Sequence, residues 1–378
     1  MPRPAQHESH GEDVGLEFFV KVPLLPPRRI FRILEEKGYR GQDAARRTMS
    51  LVAYRHVKRL KQIYIDGIPR EKLPAKANVL LMGPTGCGKT FIVELIFQHI
   101  LKLPTVIVDM TGFSETGYIG DDTKTILTRL LLAAEGNPLI ASSGVVCMDE
   151  FDKLASTQNC ARFDGQGTTK DVSGFGVQRE LLRMLETSEV EVPTDFNNSI
   201  YSTKRRLFTG DVTFIACGAF SGFKWTALDR TSGPKLGYRA NFDASEADRI
   251  AIQLQEAEVA NVETFHSYGF IPELIGRFSR IVPLSPLDRR TLKQILVDNV
   301  VQQFRYEFAE EGLDLEVGED VLDWVVDKAL ERQTGARGLN SVLTQILEDA
   351  AFENFCFRKG RVTVRVEKGE AKAVFREG

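Results

Sequence analysis

The chain has 378 residues, 43% of them hydrophobic, which is enough to bury more than one core, since single cores rarely grow past about 250 to 300 residues. A net charge of −3 disfavours nucleic acid as a partner, and no run approaches the roughly 18 apolar residues of a membrane helix. The 5 cysteines, Cys87, Cys147, Cys160, Cys217 and Cys356, form no CxxC pair, which argues against a zinc module or disulfide framework and for a reduced, cytoplasmic setting.

In chain order, residues 1–28 read as a flexible leader, with His, Glu and Asp ahead of a short apolar patch and Pro26-Pro27 and without the pattern of a secretory signal. Residues 29–65 read as two helices punctuated by Gly38 and Gly41, with Ile30, Ile33 and Leu34 on one face and Ala44, Met49, Val52 and Val57 spaced for another. Short β-branched runs then alternate with helical stretches, at 78–82, 105–109, 144–148, 212–218 and 280–284. That alternation predicts an α/β large domain over 29–284, a parallel sheet covered on both faces by helices. Ser285-Pro286 supplies a helix start and opens a smaller, mainly helical α+β domain over 285–378. Its Leu292, Ile295, Leu296 and Phe304 mark a buried side, 319–332 and 338–357 read as helices, and 361–366 with 371–375 as a strand pair.

The string Gly83-Pro84-Thr85-Gly86-Cys87-Gly88-Lys89-Thr90 follows an apolar strand and opens a helix in which Phe91 is next, the context a P-loop requires. Glycines allow consecutive N–H groups to turn around the phosphates of ATP, Lys89 reaches the outer phosphates and Thr90 ligates Mg²⁺. Downstream, the strand Val145-Val146-Cys147-Met148 ends in Asp149-Glu150. Asp149 is expected to hold Mg²⁺ and Glu150 to orient the attacking water, because phosphoryl transfer depends mainly on positioning and charge stabilisation. Cys87, beside Lys89 and a helix start, reads either as a thiol poised for oxidation or as an inert small residue.

The motifs GPTGCGKT, GYIG, MDEFDK, DVSGFGVQ, IPELIGR and TGARGL occur in one order and together resemble the ClpX type of AAA+ protein unfoldase, from about Arg29 to about Val364. HslU is a weaker match, since 170–178 follows the ClpX pattern and no long insertion of the HslU kind is present. The resemblance implies a homohexamer that hydrolyses Mg²⁺-ATP and threads protein substrates through a central pore. Arg277 would be the arginine finger that reaches a neighbour's γ-phosphate, and Arg337 the sensor that touches nucleotide bound to its own subunit. Tyr118 and Ile119 would form one pore loop, and Val172, within Asp171-Val172-Ser173-Gly174, a second. Leu236-Gly237-Tyr238 stands where the family docks a ClpP-like peptidase, with Tyr for the usual Phe.

The sequence also departs from the family. Tyr39-Arg40 precedes Gly41-Gln42 where two aliphatic residues usually line the adenine pocket, so these side chains either stack on the base or face solvent. Ala216-Cys217-Gly218 lacks the Asn or Thr sensor of many AAA+ proteins, and nothing before Arg29 matches the family's four-cysteine zinc domain, so no zinc is expected. The basic-histidine loop at the pore entrance has no counterpart in 193–202, although Lys204-Arg205-Arg206 follows, either as a basic rim or as a solvated charge run. A DNA-handling AAA+ motor and a regulatory ring with slow ATPase share the P-loop, acidic pair and finger; the acidic balance and Tyr-Ile loop speak against the first.

Overall fold

The computed structural model describes residues 6–113 (backbone alone for 6–13), 123–155, 174–186, 188–194, 203–223, 261–355 and 359–377. The chain divides into two compact units, one of residues 1–33, 44–83 and 89–284, the other of 34–43, 84–88 and 285–378.

At the centre of the first unit is a parallel sheet of β1 (Val79–Met82), β2 (Thr105–Asp109), β3 (Val145–Asp149), β6 (Thr213–Gly218) and β7 (Arg280–Pro283), in the order β2-β3-β6-β1-β7. β1 pairs on both edges, Val79 opposite Ile215 and Arg280, and all four of its residues are buried. That double burial explains its unbroken Val-Leu-Leu-Met run where a half-exposed strand would alternate. Buried Asn78 locks the near end: its Oδ1 accepts from Phe214 N (3.1 Å) and its Nδ2 donates to Arg277 O (3.2 Å). The far, C-terminal ends of β1, β3 and β6 converge, the place where open α/β sheets bind ligands.

Helices flank this sheet. They are α1 (Gln6–Lys21), α2 (Pro27–Glu36), α3 (Asp43–Tyr64), α4 (Lys89–Val93, continuing as a π-helical turn Glu94–Ile100), α5 (Lys124–Ala133), α6 (Pro138–Ser142), α7 (Gly174–Leu185), α8 (Val262–Tyr268) and α9 (Pro272–Ile275). α5 presents Ile126, Leu127, Leu130 and Leu131 to the core at helical spacing. Asn137 starts α6 by accepting from Leu139 N (2.9 Å) and Ile140 N (3.2 Å), with proline in the first turn. Fully buried Gln178 on α7 donates to Leu154 O (2.7 Å) and Gly269 O (3.1 Å) and accepts from Ile271 N (2.8 Å), so one amide satisfies three backbone groups. An antiparallel pair, β4 (Glu189–Pro193) with β5 (Lys204–Phe208), buries Val192 and Leu207 in the core of the unit.

The leader expectation needs correcting. Residues 6–21 are helical, Phe19 is buried and stacks on Tyr64 at 4.3 Å, and Lys61 Nζ satisfies the carbonyls of Phe19 (2.8 Å) and Val20 (3.2 Å). The aromatic pair and lysine cap are long-range partners on α3 that composition alone does not reveal.

The second unit carries α10 (Arg289–Ile295, capped by Asp288 through Thr291 N at 2.7 Å), α11 (Val301–Glu310), α12 (Glu319–Glu331) and α13 (Ala336–Asn354). They and the π-helical turn Leu296–Val300 pack Leu292, Leu296, Val325, Leu339 and Leu343 against a sheet ordered β10-β9-β8. β9 (Gly360–Glu367) and β10 (Glu370–Glu377) are the antiparallel pair the sequence predicts. β8 (Leu313–Val317), parallel to β9, is an addition: Leu313 and Leu315 face the core while Asp314 and Glu316 face out. Among the described residues no helix is long and apolar enough to cross a membrane.

Candidate functional site

β1 leads into Gly83, whose N–H donates to Gly218 O at 3.1 Å. A Cβ on Gly83 would lie 2.6 Å from Leu284 O, so the close approach of the β1 and β7 ends requires glycine. Lys89 opens α4 and is buried, with 9% of its surface exposed and Nζ donating to Gly83 O at 2.6 Å. One residue on, Thr90 Oγ1 donates to Asp149 Oδ2 at 2.7 Å, which brings together the hydroxyl and the carboxylate assigned to one cation. Both are hard oxygen donors of the type Mg²⁺ prefers, and the buried ammonium supplies the charge that phosphates require, so the donor set fits a magnesium nucleotide. Among the described residues no cluster of three or more His, Cys, Asp or Glu is placed to hold a metal.

Glu150 follows with φ 54° and ψ 32°, a left-handed backbone that non-glycine residues rarely take. Its N–H donates to Asp149 Oδ1 at 3.0 Å and its carbonyl accepts from Lys153 N at 3.0 Å, so the turn is held from both sides. Backbone strain of this sort persists only where its surroundings enforce it, and it gathers at active sites. Buried Asp152 braces the turn by accepting from Ala219 N at 3.0 Å. Beneath lies an aromatic cluster: Phe151 stacks on Phe270 at 5.2 Å and meets Phe278 edge-on at 5.5 Å.

Residues 84–88 of the loop group with the second unit. Gly86 (φ 74°) and Gly88 (φ 94°) are both left-handed. Gly86 O accepts from Ala336 N at 3.1 Å, and a Cβ on Gly86 would lie 2.3 Å from Thr334 O. Arg337, next along in the first turn of α13, is exposed. Tyr39 and Arg40, expected at the adenine pocket, both bond to protein groups. Tyr39 is 3% exposed, and its hydroxyl donates to Gly88 O at 3.2 Å. Arg40 forks onto Asp298 Oδ2 through Nε (2.9 Å) and Nη2 (2.8 Å) and bonds Glu35 O. Each side chain is spent on a protein partner, a long-range contact that no local motif signals.

Cys87 is 3% exposed, which corrects the oxidation-poised reading toward the inert one, since reactive thiols are accessible. Cys147 and Cys217, on β3 and β6, bring their Sγ atoms to 3.7 Å, and the hydrogen bond with Cys147, followed by burial, pushes the Cys217 thiol pKa well up. Phe91 is 40% exposed on α4. Arg277 follows α9 and donates through Nη2 to Glu186 Oε1 at 2.6 Å. Sequence reasoning missed Glu186, a lone acid after a helix with no motif around it. Tyr118, Ile119, Val172, Leu236, Gly237 and Tyr238 lie outside the described residues.

Residues 74–281 match the AAA domain (Cdc48 subfamily) family, and 287–366 match the C-terminal, D2-small domain of ClpB protein. The ATP-dependent Clp protease ATP-binding subunit ClpX of Porphyromonas gingivalis (strain ATCC 33277) is 37% identical over 338 residues, 88% of this chain and 78% of the relative. Its namesake in Bacteroides thetaiotaomicron is 37% identical over 318 residues, 83% of this chain and 73% of the relative. That of Azotobacter vinelandii is 37% identical over 321 residues, 82% and 70%.

Proposed function

The chain belongs to the ClpX family of AAA+ ATPases, and on that premise we propose that it unfolds proteins by threading them through the pore of a homohexamer and delivers them to a ClpP-like peptidase. The observation that carries the reading is the meeting of Thr90 and Asp149 at 2.7 Å beside the left-handed Glu150, in a chain whose relatives are named as Clp protease ATP-binding subunits. The proposed setting is the cytoplasm.

Lys89, Thr90 and the loop amides of residues 83–88 would hold the nucleotide phosphates, and Thr90 with Asp149 the magnesium ion. Bound Mg²⁺-ATP supplies the scissile phosphoanhydride together with the cation that screens it. Glu150 accepts hydrogen bonds from the attacking water and directs its lone pair, and its enforced backbone fixes that direction before substrate arrives. Arg277 donates to the transferring phosphoryl group on the neighbouring subunit, a contribution of about 10³- to 10⁵-fold for fingers of this type. Arg337 senses nucleotide in its own subunit. Tyr118, Ile119 and Val172 press on the threaded chain through dispersion and area burial, which demand no particular side-chain sequence. Leu236-Gly237-Tyr238 docks the peptidase.

The test is ATP-dependent loss of fluorescence from tagged green fluorescent protein, with and without a ClpP-type peptidase. Loss of fluorescence by the parent, with Tyr118→Ala retaining ATP turnover within about threefold but losing unfolding, supports the reading. Turnover that neither unfolded protein nor the tagged substrate alters, with no loss of fluorescence, overturns it.

A further inference from the structure

The guanidinium of Arg277 and the carboxylate of Glu186 meet at 2.6 Å on the surface of the first unit, each side chain about half exposed, 46% and 45%. The backbones beneath this pair are fixed. Arg277 N donates to Leu274 O at 3.1 Å, and Arg277 O accepts from the buried Asn78 just before β1. On the other side, Glu186 N donates to Leu182 O at 3.1 Å and Glu186 O accepts from the hydroxyl of buried Thr209 at 2.8 Å. Two rigid anchors therefore carry two long side chains, and the one remaining freedom is that of the rotamers, which the ion pair restrains.

Among the described residues the pair uses one nitrogen of the guanidinium: Nη2 donates to Glu186, and Nε and Nη1 donate to nothing. Guanidinium offers five donors in a planar fork, so a carboxylate gripping one corner leaves the remaining edge for a second anion. A finger that must find a neighbour's phosphate has to be extended before that phosphate arrives, because an arginine free to rotate loses rotamer entropy on each engagement. Resting on the reading of Arg277 as the finger, we propose that Glu186 is a positioning residue for it: the carboxylate holds the guanidinium extended from the subunit surface with its free edge outward. Its assigned part is to act through Arg277 alone, with no contact to the nucleotide or to the attacking water.

The experiment measures kcat and KM for ATP in assembled preparations of the parent, Glu186→Ala, Glu186→Gln, Glu186→Asp, Arg277→Ala and the Glu186→Ala/Arg277→Ala double variant. Oligomeric state and thermal midpoint are recorded for each. Expected is a fall in kcat on the order of tenfold for Glu186→Ala, within the roughly hundredfold that a misplaced catalytic group costs. KM should stay within about twofold, since the finger serves the neighbour's site, and Glu186→Asp should recover part of the loss. In the Arg277→Ala background the Glu186→Ala change should have no further effect. Glu186→Gln, of the same shape, should fall between parent and alanine variant, which keeps the test valid if the alanine variant is poorly folded. Parental or raised kcat in both Glu186→Ala and Glu186→Gln, or a double variant reduced by the full product of the single losses, overturns the proposal. If Arg277→Ala itself turns over at the parental rate, the finger assignment fails and the role of Glu186 fails with it.

Discussion

Replacing Glu150 by asparagine separates the cost of the backbone at this position from the work of its carboxylate. Glu150 sits at φ 54° and ψ 32°, where an L-residue with a long side chain is destabilised by about 1 to 2 kcal/mol, whereas asparagine, which bonds locally, tolerates the region well. The hydrogen bonds that hold the turn, Glu150 N to Asp149 Oδ1 and Lys153 N to Glu150 O, are made by backbone at position 150 and survive the change. Glu150→Asn should therefore be more stable than the parent by about 0.5 to 1 kcal/mol, a rise of roughly 0.2 to 0.5 M in the urea midpoint at an m-value near 2 kcal/mol/M. Glu150→Gln keeps the strained geometry with a side chain of the same size and should leave the midpoint where it is. Both variants should lose hydrolysis by about 10²-fold or more, as removal of a positioned base does, while binding nucleotide as the parent does. The assays are far-UV circular dichroism in urea without nucleotide, phosphate release, and equilibrium binding of a fluorescent ATP analogue. An asparagine variant less stable than the glutamine variant refutes the strain argument; hydrolysis within about tenfold of the parent in either refutes the role of the carboxylate.

His56 is enclosed between Ser143 O (2.9 Å) and Thr213 Oγ1 (3.0 Å), and burial pushes its pKa down to about 4 against the opposing pull of the Ser143 bond. Since its ordinary value is 6.5, the unfolded chain takes up a proton that the folded one refuses. Its contribution is thus fully present above about pH 6.5 and lost as pH falls toward 4, up to about 3 kcal/mol, and His56→Gln should flatten the decline in urea midpoint between pH 7 and 4.5. An unchanged pH slope in that variant would show that other groups govern the decline. A Cβ at Gly88 meets a left-handed backbone (φ 94°) and the Tyr39 ring at 3.1 Å, whereas at Gly67 (φ 65°) it meets nothing within 4 Å. Both Gly→Ala changes should lower stability by about 1 to 2 kcal/mol, but only Gly88→Ala should weaken ATP-analogue binding, by about tenfold or more; equal affinities would remove the loop from the site.

Much of this architecture is legible in short local patterns. Strands β1, β3 and β6 are marked by apolar runs because each lies between two other strands and is buried, and the P-loop string and Asp149-Glu150 stand out because glycines and a terminal acid pair have few other uses at strand ends. The left-handed turn at Glu150 is not legible, since glutamate carries no mark of αL backbone and the geometry comes from Asp149 and Lys153 around it. Tyr39 and Arg40 show the same limit: the sequence reveals an aromatic and a cation, but their partners Gly88 and Asp298 lie far along the chain. β8 was open to a period-two reading, Leu313 and Leu315 against Asp314 and Glu316, and its brevity between two helices hid it.

The position of β1 within the sheet has a consequence for how the protein is made. Its partners are not the strands that follow it: β6 begins at Thr213 and β7 at Arg280, about 200 residues after Val79. At a ribosomal rate of about 5 to 20 residues per second, β7 emerges roughly 10 to 40 s after β1 does. Through that interval four apolar residues, Val79–Met82, lie in a nascent chain that contains no β7 to cover their second edge. Strand segments of that composition are the ones that associate with other chains when left exposed, so the hazard of aggregation falls on synthesis more than on the finished protein. A chain cut short anywhere before Arg280 would leave β1 with a permanently bare edge.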